Sequence, residues 1–521
     1  MNLSAAEFLK VADQFRLGTL ETEAQHPLTL GLSECAKQDL PKAVRTLQAV
    51  DFQALAKLID HSLNLIPLAE AIRDTLAAGN RLFFCGCGAT GRLSLSLELF
   101  CRQGLLPDEL ADRAVGFMAG GDQALIRSIE NFEDFPAYGA RQLEELGFAH
   151  GDLLIASTEG GETPFVIGAA ERAAQLSRNQ PFFLYCNPDA PLCAAAERSA
   201  RVLANPAIQK INLAVGPMAL SGSTRMQAST VIMAAIVFAI QCRNKPQSVM
   251  EEVGDFAKWI SSMDFAWLAD FIQIEEAIMR RGGSVLYEPG EFGITVLTDL
   301  TERSPTFTLS PLENRNEPES PAALCYLHFP GACNASDAWN RLLKREPRAL
   351  EWEGGIAEVA GKARLLGYDF SDEVREWRIF RKNGCWQKTF CIESGEDAFF
   401  FQLGPCHHML RFENRPLTHR HLLLKMILNI HSTLLMGRLG RYEGNLMTYV
   451  KPANLKLIDR AIRYVRLLLE RNTGEAPDYE TTARALFEVM KTLKPEEPIV
   501  LRTVEVLSPV KFNHPISEKS A

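Results

Sequence analysis

Residues 83 to 100 read FFCGCGATGRLSLSLELF, an apolar run followed by a glycine turn and a Leu-rich segment with helical spacing. The turn GCGATG fits G-x-G-x-x-G, and the chemistry it offers is anion binding: glycines let backbone N–H groups and a helix N-terminus approach a phosphate closely. A dinucleotide and a simple phosphate ester would both satisfy that turn. A dinucleotide site also needs an acidic residue at the end of the second strand, about 20 residues past the glycines, for the ribose hydroxyls. Here the second apolar run, AVGFMAGG, ends in Gly120-Gly121, and Asp122 lies about 30 residues beyond Gly91. Two more hydroxyl-and-glycine loops follow strand-like runs. STEGGETP (157–164) offers Thr158, Gly160, Gly161 and Thr163, and LSGSTRMQAST (220–230) offers Ser221, Ser223 and Thr224. Singly, such residues are ordinary caps and turns. Together with Gly88, Thr90 and Gly91 of the first loop, they suit one phosphoryl group and point to a phosphosugar.

The elements that must position these loops are legible from periodicity. RLFFCG, AVGFMAG, DLLIAST and PFFLYCN are short apolar runs ending in turn residues, each followed by a helical pattern. That alternation predicts a parallel, doubly wound α/β sheet with ligands at the C-terminal strand ends. The first sixty residues read as a polar helical arm, and a helical stretch over 247–280 separates this sheet from a second strand, glycine turn and helix, GSVLYEPGEFGITVLTDLTERSPTF. AALCYLHFPG and DAFFFQLGP read as further strands, and the last eighty residues as charged helices. Setting Gly86 against Glu288, an offset of 202 residues, lays GCGATG over EPGEFG and keeps Gly88/Gly290 and Gly91/Gly293. The expected organisation is a helical arm (1–60), a first α/β domain with intact phosphate loops (61–246), a second, degenerate one (247–440) and a helical tail (441–521).

Bulk properties narrow the classes. The 521 residues exceed one ordinary core. A net charge of −9 with no basic block argues against a nucleic-acid surface. The most apolar run, VIMAAIVFAI, is far too short to span a membrane and reads as a buried helix. The N-terminal segment carries Glu7 and Asp13 and lacks signal-peptide form, and the twelve cysteines include no CxxC pair, so a reducing cytoplasm is the expected compartment. His407-His408 and His419-x-His421 complete no metal set with neighbouring residues, and no metal is expected.

In order along the chain, TEAQHP (22–27), GCGATGRL (86–93), MAGGDQAL (118–125), GGETPFVIG (160–168), CNPDAPL (186–192) and VGPMALSGSTRMQAST (215–230) resemble the sugar isomerase (SIS) domain of N-acetylmuramic acid 6-phosphate etherases and of the related glucokinase regulatory proteins. The stretch RLGRYEGNLMTYVKPANLKLIDRAIRYV (438–465) is similar to the segment that follows the SIS domain in the etherases. Two SIS domains with a helical tail resemble the regulatory proteins, whereas the etherases have one such domain and pair as homodimers. The resemblance implies two doubly wound parallel-sheet domains packed as a pseudo-dimer. It implies phosphate contacts at Thr90, Thr158 through Thr163, and Ser221 to Thr224, and a lysine, Lys456, reaching the phosphosugar from the tail.

The etherase reaction removes a lactyl ether from carbon 3 of an open-chain 6-phosphosugar. The carbon 2 proton beside the aldehyde is acidic enough for a positioned carboxylate, and no metal or nucleotide is needed. One family glutamate sits in DASECPPTF after the first glycine loop; this chain has Phe100 there, and Glu98, two residues earlier, is rotated by about 200° on a helix. The second, in AVEGAED, matches Glu130 of SIENFED. In the second half DLTERSPTF restores the lost acid as Glu302, while its glycine loop carries Glu288, Glu291 and Phe292, which would exclude a phosphate. The losses are complementary, so a composite site is expected: phosphate loops and Glu130 from the first half, Glu302 from the second. Glu162 replaces the arginine of the etherase loop, Met218 a glutamate and Gln227 a lysine. The resemblance therefore implies a phosphosugar ligand and an etherase-like lyase for a 6-phospho amino sugar. The alternative is a non-catalytic sugar-phosphate sensor that docks on a partner such as a sugar kinase; a phosphosugar isomerase has only the GGET loop in its favour.

Overall fold

The computed structural model describes residues 4–129, 132–381, 386–452, 454–494 and 497–508. The four apolar runs of the first half form strands β1 (Leu82–Gly86), β2 (Ala114–Met118), β3 (Leu153–Ser157) and β4 (Phe182–Tyr185), all buried, and β5 (Gln209–Asn212) completes the sheet. Every pairing in the order β2-β1-β3-β4-β5 is parallel. The order reverses at β1, whose end leads into the glycine loop, so the ligand-accepting crevice of a doubly wound sheet falls where the sequence placed it. The run VIMAAIVFAI lies within helix Gln227–Gln241, buried almost throughout as an apolar all-round helix must be.

The second half repeats the start of this plan. Strand β6 (Ser284–Glu288) stands 202 residues after β1, residue for residue, and Gly88 and Gly290 share positive φ values of 55° and 53°. Strand β6 pairs in parallel with β7 (Cys325–Leu327) and with β8 (Gln387–Ser394), but β9 (Ala398–Leu403) and β10 (Cys406–Arg411) add antiparallel strands at one edge. The second sheet is thus degenerate in topology as well as in its loop.

Between the sheets run helix Gln227–Gln241, helix Leu40–His61 and helix Leu417–Arg438. Helix Gly293–Phe307 of the second half lies against helix Gly88–Phe100 of the first, fixed by Arg92 Nε donating to Thr301 Oγ1 at 2.9 Å. A second seam joins Glu98 and Asp122 to Arg345 and Arg348. Glu98 therefore points into this seam, away from the glycine loop, as its helical phase requires. The tail helices Leu455–Thr473, Tyr479–Thr492 and Ile499–Leu507 pack with the N-terminal segment, Phe8 meeting Phe487 at 5.7 Å between ring centroids. No helix among the described residues is long and apolar enough to cross a membrane.

Candidate functional site

A cavity of about 130 Å³ opens at the C-terminal ends of β1 and β3. Its floor is Thr158, Glu159, Gly160, Glu162 and Thr163, one wall is Cys87 and Glu133, and another is Gly222 and Thr224. The N-terminal segment contributes Leu17, Leu20, Thr22 and Glu23, and the tail contributes Lys456 and Arg460.

The floor is a built cradle. Thr158 Oγ1 and Thr163 Oγ1 lie 2.9 Å apart in one hydrogen bond, and Thr163, at the N-cap position of helix Pro164–Leu176 with its hydroxyl not bonded to the helix, lines the cavity, so the helix begins at the cavity floor. Free N–H groups and the helix dipole there favour an anion. Gly161, at φ +81°, turns the loop, and a Cβ at this position would meet Leu192 at 2.5 Å. Asn187 ties the cradle to the N-terminal segment, donating to Gly160 O at 2.9 Å and to Thr22 Oγ1 at 3.0 Å and accepting from the Thr22 amide at 3.1 Å.

The electrostatics of the lining divide its acids into paired and unpaired groups. Burial pushes Glu23 up, but Arg460 and Arg463 outweigh it and hold the carboxyl at about 2. For Glu162 burial acts in the same upward sense and is overcome by Lys456, which bonds it, and by Arg198, so it sits below the usual carboxylate range. For Glu159 no ion pair offsets burial in this way among the described residues. Burial, with added repulsion from Glu302 and Glu162, raises it to about 7, although Ser229 Oγ donates to it at 2.7 Å. Glu133 is likewise raised, mainly by burial, and accepts from the Cys87 thiol at 3.4 Å.

Glu302 stands on helix Gly293–Phe307 next to Thr301, the residue held by Arg92. It is 3% exposed, and neither of its carboxylate oxygens has a hydrogen-bond partner among the described residues. Burial raises its pKa against the pull of Lys425, Arg92 and Arg225. It does not line the cavity; its charge is felt there through Glu159. A buried carboxyl without partners is costly in a folded chain. Acid–base sites are where such groups gather.

Of the residues expected from sequence, Thr158, Gly160, Thr163, Thr224 and Lys456 line the cavity. The others stand behind it. Thr90 Oγ1 is spent on a helix cap, donating to Cys87 O at 2.9 Å and accepting from the Cys87 amide at 3.1 Å. Gly91 allows helix Gly88–Phe100 to press on β2, since a Cβ there would lie 2.6 Å from Met118, and Gly88 supplies the positive φ of the turn. Ser221 Oγ donates to Glu23 O at 2.6 Å, and the Ser223 amide donates to Leu220 O at 2.9 Å. Glu130 lies outside the described residues. Sequence reasoning missed Glu23, Glu133, Glu159 and Arg460 as lining groups. Glu23 and Glu159 sit inside motifs that were read for their neighbours, TEAQHP and STEGGETP, and Glu133 is three residues past Glu130. The partner of Glu23 is 437 residues away, beyond any spacing argument. The paired histidines are core residues: His419 bonds Gln241, while His421 bonds Thr295 and Gln103. Among the described residues no group of three or more His, Cys, Asp or Glu is arranged to hold a metal ion.

Known proteins bear on this geometry. Residues 66–174 match the model of the glucokinase regulatory protein N-terminal SIS domain. N-acetylmuramic acid 6-phosphate etherases from Pectobacterium atrosepticum and Synechocystis sp. are 31% and 32% identical over 219 and 220 residues, covering 42% of this chain and 66% of each relative, just under two thirds of their length. The etherase of Yersinia pestis is 30% identical over 215 residues, 41% of this chain and 67% of that enzyme. The solved tagatose-6-phosphate ketose/aldose isomerase from Escherichia coli overlays 81% of this chain and 97% of its own, at 12% identity and a TM-score of 0.40. With the ordered motifs and the etherase relatives in agreement, the chain belongs to the SIS-domain family that contains the N-acetylmuramic acid 6-phosphate etherases and the glucokinase regulatory proteins.

Proposed function

We propose that the cavity receives the phosphate of a sugar 6-phosphate and that the chain is an etherase-like lyase for a 6-phospho amino sugar of the N-acetylmuramic acid 6-phosphate type. The observation that carries the reading is Glu302: a buried carboxyl with both oxygens unbonded among the described residues, brought by the second half against helix Gly88–Phe100 of the first, behind the cavity lined by Glu159. In this reading Thr158, Thr163, the helix N-terminus behind them and Lys456 hold the phosphate, with Gly160 and Thr224 shaping the approach and Gly161 and Ser223 supporting the loops from behind. Glu302 removes the carbon 2 proton of the open-chain sugar, the carbon 3–oxygen bond breaks as a second carboxyl gives its proton to the departing ether oxygen so that lactate leaves, and water then adds across the enal, its hydroxyl to carbon 3 and a proton to carbon 2. Glu130 is the second carboxylate of the notional pair, and Glu159, at about 7, is poised to carry a proton near neutral pH.

A second reading is a sugar-phosphate sensor that docks on a partner such as a sugar kinase. The match of residues 66–174 to the regulatory-protein domain favours it. Incubating the protein with N-acetylmuramic acid 6-phosphate and following D-lactate release separates the two. Lactate from the parent and none from Glu302→Gln supports the lyase. Absence of lactate with a clear thermal shift from the same sugar or from fructose 6-phosphate supports the sensor, and absence of both overturns the phosphosugar reading.

A further inference from the structure

The cradle already holds an anion of its own. The Glu162 carboxylate bonds Lys456 Nζ, and its Oε2 lies where a Cβ on Gly160 would be only 2.4 Å away, so it is folded down over the floor glycine. Its side chain is 6% exposed, and its own backbone carbonyl is anchored by Arg198 Nε, which fixes the root of the side chain while the carboxylate reaches into the cavity. The two threonine hydroxyls of the floor turn to each other, at 2.9 Å.

We propose that Glu162 is a specificity-determining residue, a resident anion that a ligand phosphate must displace from Lys456. This rests on reading the cavity as a phosphosugar site. Two anions cannot share one ammonium and one set of hydroxyls in a partly dry cavity at low cost, and Glu133 and Glu159 stand on the same walls. Binding is therefore an exchange: the carboxylate leaves Lys456, and the phosphate takes its place. The exchange keeps a partner on Lys456 throughout, and with it the contact between helix Leu455–Thr473 and the first sheet. A phosphate ester passes this test because it brings two negative charges and several acceptor oxygens against one carboxylate. A sugar acid, with a single carboxylate, gains nothing by displacing an equal, and a neutral sugar leaves the pair in place.

The test is titration calorimetry of the full chain with inorganic phosphate, fructose 6-phosphate and gluconate, on the parent, Glu162→Gln and Glu162→Asp. The expected result is tighter phosphate and fructose 6-phosphate binding by Glu162→Gln, by roughly tenfold. Glu162→Asp, which keeps the charge but shortens its reach, should fall between the two, and it serves alone if the glutamine variant does not fold. Thermal stability gives a second readout. Glu162→Gln leaves Lys456 unpaired and should melt below the parent in phosphate-free buffer, then recover most of the loss as phosphate is added. Equal affinities in parent and variants, with fructose 6-phosphate bound by all, would overturn the resident-anion role and leave the phosphosugar reading standing. Parent binding of gluconate as tight as fructose 6-phosphate would overturn the selectivity argument. Failure of every form to bind either phosphate compound would overturn both readings.

Discussion

The strand–glycine–helix unit occurs twice, and its two copies have opposite interiors. After β1 the turn leads directly into helix Gly88–Phe100, and the space beyond the strand end is an open cavity. After β6 the equivalent space is filled. Phe292 is fully buried against Phe399 and His421, with ring centroids 5.1 and 4.6 Å away, and Glu288 accepts from His328, whose other ring nitrogen bonds Asp372. The backbone turn survives in both copies, with nearly equal φ at its glycine. A cradle is thus made by what the side chains leave empty as much as by the glycine turn. In the proposed reading the second copy, its own loop filled, contributes Glu302 to the first.

That division of labour is broken most severely at Glu302. Glu302→Gln should lower kcat by about 100- to 10,000-fold, the usual worth of a positioned acid or base, with sugar-phosphate affinity unchanged. The pair Thr158→Val and Thr163→Val should do the reverse, raising KM with a smaller effect on kcat. Steady-state kinetics beside direct binding would show it; an affinity loss in Glu302→Gln equal to its rate loss would mean that Glu302 grips ligand instead of moving a proton.

The filled loop is tested by emptying it. Phe292→Ala should destabilise the protein by about 3–5 kcal/mol in urea unfolding, as large-to-small changes in a packed core do. It should not create a second phosphate site, because Glu288 and Glu291 remain. Two equivalents of bound phosphate in calorimetry would contradict the electrostatic part of that argument.

Gly86 and Glu288 occupy the same place in the repeat, yet only one tolerates a side chain. A Cβ on Gly86 would lie 2.2 Å from the Thr90 carbonyl oxygen, because helix Gly88–Phe100 begins immediately after the strand. In the second copy the helix begins at Gly293, later in the repeat, and the wider loop makes room for Glu288. Gly86→Ala should therefore cost about 1–3 kcal/mol and loosen the cavity wall at Cys87, whereas Glu288→Ala should cost less. A Gly86→Ala variant as stable as the parent would show that the first loop can widen like the second.

How much of this was legible follows from which forces act locally. Strands β1 to β4 announce themselves because a parallel sheet covered on both faces needs continuous apolar runs. Strands β5, QKIN, and β10 do not: each lies at a sheet edge and keeps polar residues, such as Gln209 and His407, exposed, while the central β8 opens on the polar pair Gln387-Lys388. The floor of the cavity was readable because Thr158, Gly160 and Thr163 are adjacent in sequence. Lys456 was readable only through family resemblance, since an isolated lysine on a charged helix looks like solvated surface. Thr90 shows the opposite limit. A hydroxyl at a helix start can serve a ligand or its own backbone, and the sequence does not state which; here it closes a capping box.

The smallest expected effect is the most direct measure of contact between the halves. Glu159 is raised from 4.5 to about 7, so between those two values the folded chain binds a proton that the unfolded chain has lost. A group of this kind stabilises the fold below about pH 4.5, and its contribution fades as the pH climbs through 7. Glu159→Gln should flatten the fall in stability across that window, leaving the shares of Asp51 and Glu443, which are also raised to about 7. Part of the Glu159 shift comes from Glu302, across the interface between the two halves. Glu302→Gln removes that charge and should move the Glu159 titration downward, by less than burial moves it up. The carboxyl can be followed by isotope-edited infrared or NMR in the two proteins. An unmoved Glu159 midpoint would mean that the acid of the second half does not reach the cavity of the first, and the composite site would lose its electrostatic link.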